Sequence, residues 1–176
     1  EGIHHDIGPL INQKAVEKSE RYVGIGVEEG AKLLCGGKPL KINGCGFFFQ
    51  PTIFTDCKHD MRICQDEIFG PVLSIISVNN FDEAIRVANS VSYGLSSAIY
   101  TSDMQRAFRA VAKLEAGLTY INSSTIGSEI HLPFGGVKST GNGMREAGIH
   151  GIDEFSEIKT VYFDYSGKLQ KATIDD

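Results

Sequence analysis

Apolar residues return at helical spacing between Asn12 and Glu29, as Val16, Tyr22 or Val23, and Val27. That period predicts an amphipathic helix with Asn12 as its N-cap and Gly30 as its C-terminal glycine. Gly24 and Gly26 weaken its middle by about 1 kcal/mol each relative to alanine. Residues 31–35 then read as a short strand ending at Gly36-Gly37, and residues 47–54 as an aromatic, strand-like run. Residues 72–78 form a denser apolar run between turn signals, which predicts a strand covered on both faces.

Further along, Asn80 with Glu83 forms a capping-box pattern that starts a helix to about Asn89, with Ala84, Ile85 and Ala88 facing inward. Tyr93-Gly94-Leu95 turns into a strand over residues 96–100. Ser102 with Gln105 repeats the capping pattern and opens a helix to about Glu115. Its stripe runs Met104, Ala107, Phe108, Val111, Leu114, and Gly117 ends it. A strand over residues 118–122 follows. Strand, helix, strand, helix, strand predicts an α/β fold with a largely parallel sheet, flanking helices and right-handed crossovers. Ligands of such sheets gather beyond the carboxyl ends of strands, which points to Asn122 and the loop 123–143. A loop that long is rarely idle. Glu129 and His131 within it could touch a substrate, a solvated pair being the better reading. A last helix over residues 148–157 precedes Lys159-Thr160-Val161-Tyr162-Phe163-Asp164-Tyr165, an aromatic strand. Left exposed, such a strand templates pairing with another chain, so it is expected to be an oligomer contact.

Composition narrows the class. A chain of 176 residues, 41% hydrophobic and 22% charged, suits one domain with a real core. Nothing reads as an interdomain linker. A net charge of −5 without a basic stripe argues against nucleic acid or an anionic membrane as partner. No apolar run reaches the ~18 residues of a membrane helix. The opening Glu1-Gly2-Ile3 lacks a Met, so a fragment or processed piece is expected. Cys35, Cys45, Cys57 and Cys64 form no C-x-x-C pair and are expected as free thiols of a cytoplasmic protein. Cys45, between glycines, lacks the electropositive setting of a nucleophile. The adjacent His4 and His5 read as a solvated loop rather than a metal site. Phe47-Phe48-Phe49 has no interleaved basic residues, so it reads as core rather than as a platform for bases.

Two stretches carry candidate chemistry. Gln65-Asp66-Glu67-Ile68-Phe69-Gly70-Pro71-Val72 places an acid and an aromatic on a turn before a strand, with Gly70 expected to supply the bend. Leu132-Pro133-Phe134-Gly135-Gly136-Val137-Lys138-Ser139-Thr140-Gly141 is a glycine-dense loop leading to a helix. Together with Tyr93-Gly94-Leu95 and Asn122, in that order, they resemble the aldehyde dehydrogenase superfamily, over nearly the whole chain. The resemblance implies the C-terminal part of an enzyme that oxidises an aldehyde to a carboxylic acid through a cysteine thioester, using NAD or NADP. It implies that Glu67 accepts hydrogen bonds from ribose hydroxyls beside the nicotinamide, as a carboxylate can from a diol. It puts Phe69 near the nicotinamide, Phe134 in the substrate tunnel, and Asn122 and Lys138 in loop-shaping roles. Residues 1–157 would belong to the catalytic domain. Residues 158–176 would be the oligomerisation strand and tail of a homo-oligomer, dimer or tetramer.

The family's nucleophilic cysteine, in a Gly-Gln-x-Cys context, and its general-base glutamate would precede Glu1. The chain alone is therefore expected to be inactive. Residues 129–138 are loosely similar to semialdehyde-oxidising members, although residues 123–141 contain no Arg to pair with a substrate carboxylate. The competing expectation is a non-catalytic assembly or binding fragment.

Overall fold

The capping oxygen of Asn12 accepts from the Ala15 N–H at 3.0 Å and starts helix α1, Gln13–Glu28. Glu29 caps its far end and Gly30 leaves it with φ +92°. A computed structural model gives these and the following features for residues 7–168. The His4-His5 stretch and the tail beyond Lys168 lie outside the described residues.

After α1 come β1 (Lys32–Cys35), β2 (Pro39–Ile42), β3 (Cys45–Phe49) and β4 (Thr52–Thr55). The aromatic run at 47–54 is thus two strands rather than one. Pro51 has no N–H to extend a ladder and biases Gln50 to an extended turn, so the chain changes sheets there. β2 and β3 pair antiparallel around Asn43-Gly44, both with positive φ, a hairpin the sequence reading missed. Helix α2 (Arg62–Gln65) and strand β5 (Val72–Ser74) follow, with β1, β4 and β5 forming one sheet in that order. β5 runs parallel to β4. It is shorter than the expected residues 72–78 and not covered on both faces: Leu73, Ile75 and Val78 are exposed. Among the described residues β5 has a neighbour on one edge only.

Helix α3 (Phe81–Ala88) begins as expected, with Asn80 Oδ1 accepting from the Glu83 N–H at 2.9 Å. The returning Glu83 carboxylate accepts from Asn79 rather than from the cap residue. Then come β6 (Tyr93–Gly94), β7 (Ser96–Ile99), α4 (Met104–Lys113), β8 (Leu118–Ile121), β9 (Val137–Lys138) and α5 (Gly148–Glu154). Asp103, not Ser102, caps α4, because its carboxylate reaches the N–H groups of both Gln105 and Arg106. The α4 stripe is also rearranged. The small Ala107 and Ala110 are buried at 2% and 0% exposure, while Met104, Phe108 and Val111 face outward. β7 and β8 are parallel through the α4 crossover, and β6 and β9 are antiparallel.

The α/β architecture stands, but among the described residues the expected largely parallel sheet is divided into four small ones. Two pairings are parallel and three antiparallel. The main core lies under α1, where Val16, Val23, Phe49, Phe54, Ile63 and Ile68 pack together. α5 ends at Glu154, earlier than expected. Residues 159–165 form no ladder, and Tyr162, Phe163 and Tyr165 stand in solvent. No described helix is long and apolar enough to cross a membrane.

Candidate functional site

The turn from Gln65 to Pro71 links α2 to β5. Its bend is made by Phe69, whose φ is +57°, and not by Gly70. An L-residue in the left-handed region carries strain of roughly 1–2 kcal/mol. Gly70 is needed for another reason: a Cβ there would collide with the hydroxyl of Ser19 on α1, which is fully buried. Strain at Phe69 turns its ring outward, 77% exposed. The Glu67 carboxylate is exposed too, and takes no partner among the described residues.

The backbone of this turn is nevertheless fixed. Lys18 Nζ donates to the Glu67 carbonyl at 2.7 Å, and the Tyr22 hydroxyl donates to Asp66 Oδ2 at 2.9 Å. At the start of α2, Glu29 Oε2 accepts from the Arg62 N–H at 2.7 Å. Sequence reading placed Tyr22 in an apolar stripe and gave Lys18 no role. The available signal was that a buried tyrosine hydroxyl needs a partner.

The glycine loop is built differently. Phe134 and Glu146 exchange two backbone hydrogen bonds, of 2.6 and 2.8 Å. Val137 and Lys138 add a strand to β6. Gly94 N–H donates to the Thr140 hydroxyl at 2.9 Å. A cavity of about 600 Å³ opens behind this frame, lined by Phe134, Leu95, Met144, Glu146, Glu154 and Phe155 among others. Phe134 is half-buried at its wall. Glu129 and His131 do not line this cavity; His131 borders a second one, with Ile130, Ile149 and Ile152.

Asn122 and Lys138 are occupied structurally. The Asn122 side chain accepts from the Thr101 N–H at 2.8 Å and donates to the Thr101 carbonyl at 3.0 Å, joining the ends of β7 and β8. Lys138 Nζ donates to the carbonyls of Asn89 and Val91. Glu67 and Phe69 therefore share one turn and Phe134 sits on another loop, with no hydrogen bond between the two among the described residues.

Cys35 and Cys45 are exposed, Cys57 is buried, and burial pushes the Cys64 thiol up to about 11. No group of three His, Cys, Asp or Glu among the described residues could hold a metal ion.

These loops and this topology define a class. The aldehyde dehydrogenase family model matches residues 3–161, and the chain belongs to that family. It is 43% identical over 167 residues to an alpha-ketoglutarate semialdehyde dehydrogenase of Haloferax volcanii, covering 93% of this chain and 35% of the relative. It is 42% identical to a betaine aldehyde dehydrogenase of Brucella anthropi, covering 89% of this chain and 32% of that protein. Among solved structures, a Mycobacterium tuberculosis aldehyde dehydrogenase complexed with NAD+ superposes with TM-score 0.84 at 38% identity, over 93% of this chain and 33% of that one. The chain thus spans about a third of the length of the relatives it matches.

Proposed function

We propose that this chain is the C-terminal part of the catalytic unit of a cytoplasmic, NAD- or NADP-dependent aldehyde dehydrogenase. Residues 1–157 belong to the catalytic domain, and residues 158–176 are the oligomerisation strand and tail. The observation that carries this reading is the Gln65–Pro71 turn. Its backbone is pinned at several points, yet it presents a free carboxylate and a bare aromatic ring on a strained backbone. Strain and exposure kept together in a rigid turn suit a ligand site better than a surface loop.

A nicotinamide dinucleotide, when bound, accepts hydride from the substrate carbon. The Glu67 carboxylate would accept hydrogen bonds from two ribose hydroxyls, and Phe69 would cover the nicotinamide side with its ring. The exposed carboxylate and uncovered ring leave an acceptor and a stacking face open to such a group. The NAD+ complex of the M. tuberculosis relative supports NAD as the cofactor. Phe134, in the wall of a cavity it lines with Leu95, Met144 and Phe155, would line the aldehyde's path. The H. volcanii relative supports a semialdehyde as the substrate class. The nucleophilic thiol and general base come from outside this chain, and no cysteine here stands in the Gly-Gln-x-Cys context of the family's nucleophile.

Glu67→Gln in the full-length protein tests the reading. Cofactor affinity and hydride-transfer rate should both fall with stability unchanged; wild-type values for both would remove Glu67 from the site. A second reading, a non-catalytic assembly fragment, is favoured by the solvent-exposed aromatics of residues 159–165. In the catalytic reading the same stretch joins subunits into a homo-oligomer, dimer or tetramer. The denatured mass of the source protein separates the two: a value near 19.2 kDa supports the fragment, and a value about three times larger the enzyme.

A further inference from the structure

The groups that hold the Gln65–Pro71 turn come from one face of α1. Lys18, Tyr22 and Gly26, with the C-cap Glu29, recur at intervals of three or four, which stacks them along one side of the helix, and Ser19 sits beside Lys18. Each touches the segment from α2 to Gly70. Glu29 caps Arg62, Gly26 lies against Ile63, Tyr22 bonds Asp66, Lys18 bonds the Glu67 carbonyl, and Ser19 packs on Gly70. Asp66 is held from a second side, by Arg62 Nε at 3.5 Å. Three cations, of Lys18, Arg21 and Arg62, surround the Tyr22 ring at 5.7–5.9 Å from its centroid. Fixed points therefore lie on both sides of Phe69, the one strained residue of the turn. Without them its backbone would relax out of the left-handed region, because such a conformation persists only where its surroundings over-determine it.

We propose that α1 is the positioning element of the cofactor turn, with Lys18 and Tyr22 as positioning residues that set the Glu67 carboxylate and the Phe69 ring before ligand arrives. The proposal rests on the reading that Glu67 and Phe69 serve the cofactor. A turn already ordered in the free protein does not lose conformational freedom on binding, so each fixing bond is expressed as affinity. Lys18 and Tyr22 touch no ligand themselves. Their effect passes through the Glu67 carbonyl and the Asp66 carboxylate.

The test compares Tyr22→Phe, Lys18→Met, Lys18→Arg and Glu67→Gln in the full-length protein. Tyr22→Phe removes one hydroxyl and keeps the buried ring. Lys18→Met keeps the stem of a half-exposed side chain, so it folds even if Tyr22→Phe does not. The readouts are hydrogen–deuterium exchange of the 66–70 segment without ligand, NADH affinity by fluorescence titration, and the aldehyde KM. Expected are faster exchange in Tyr22→Phe and Lys18→Met, and NADH Kd raised about three- to tenfold, the scale of one hydrogen bond. The aldehyde KM stays put, and Lys18→Arg recovers most of both losses. If Glu67→Gln weakens NADH binding while Tyr22→Phe and Lys18→Met leave exchange and Kd unchanged, the positioning role is overturned and the cofactor reading stands. If no variant alters Kd, the cofactor reading falls and takes the proposal with it.

Discussion

Lys138 donates to the Asn89 carbonyl at 2.7 Å, which ties the glycine loop to the C-terminus of α3 across 49 residues of chain. The same ammonium donates to the Val91 carbonyl at 3.2 Å and meets the Glu115 carboxylate at 2.6 Å. A cation there satisfies carbonyls that a helix end leaves open. Lys138→Met should cost about 2 kcal/mol, the scale of charge-assisted hydrogen bonds to carbonyls. Glu115→Gln should cost less than about 1 kcal/mol, because that carboxylate is mostly in solvent. Urea unfolding, read as a midpoint shift at constant slope, checks both. Equal losses would move the anchor from the carbonyls to the ion pair.

Asn122 shows how one residue type can serve two demands. Its φ of +53° favours Asn or Gly, and its amide bridges both backbone polar groups of Thr101. Asn122→Gly keeps the backbone and loses the bridge, at about 1–2 kcal/mol. Asn122→Ala adds left-handed strain and should cost roughly 1 kcal/mol more. Thermal unfolding of the two variants separates the contributions; if Gly proved no better than Ala, backbone strain would not matter there.

Two glycines near the second loop contrast a tight and an open position. A Cβ on Gly117 would run into the Gly135 carbonyl, a backbone atom that cannot swing aside, whereas nothing lies within 4 Å of a Cβ on Gly127. Gly117→Ala should therefore cost more than about 3 kcal/mol or abolish soluble folding, while Gly127→Ala costs about 1 kcal/mol for its φ of +88°. Soluble yield and melting temperature of the two variants make the comparison.

What was legible from sequence follows from the range of the interactions. Caps at Asn12 and Asn80 and the glycine at position 30 are local, so residue type and spacing were enough. The break at Pro51 was also local, although residues 47–54 read as one strand, and the Asn43-Gly44 turn signal was present but passed over. The α4 face was misassigned because periodicity marks apolar positions, while the positions the fold buries are the small Ala107 and Ala110. Motif order led to Glu67, Phe69 and Phe134, but not to what holds them. Lys18 lies 49 residues from Glu67, and Tyr22 lies 44 from Asp66. Such pairs have no local signature.

Thiol reactivity should follow burial. Cys35 and Cys45 are exposed, Cys57 is buried, and the Cys64 thiol is raised to about 11 chiefly by burial, with Cys57 beside it. Thiolate is the reactive form, so near pH 8 Cys64 presents about a thousandth of its thiol as nucleophile. Iodoacetamide labelling of the folded protein, mapped by peptide mass, should modify Cys35 and Cys45 first and Cys57 and Cys64 only on unfolding. Early labelling of Cys64 would show that α2 opens readily.

The Tyr22–Asp66 bond also has a pH signature. The phenol donates to a carboxylate and is largely buried, and both raise its pKa above the usual tyrosine value; Arg62 opposes more weakly. A group whose folded pKa is raised contributes stability that is complete below its unfolded value and is lost as pH rises through the folded one. The stability difference between wild type and Tyr22→Phe should therefore stay constant from neutral pH to about pH 10, and shrink only above it. Urea unfolding of both proteins across that range, with the phenolate difference spectrum between them, follows the change. Titration of Tyr22 below about pH 10 would mean that Lys18, Arg21 and Arg62 outweigh Asp66 at the ring. The hydroxyl would then not be the group that fixes the turn.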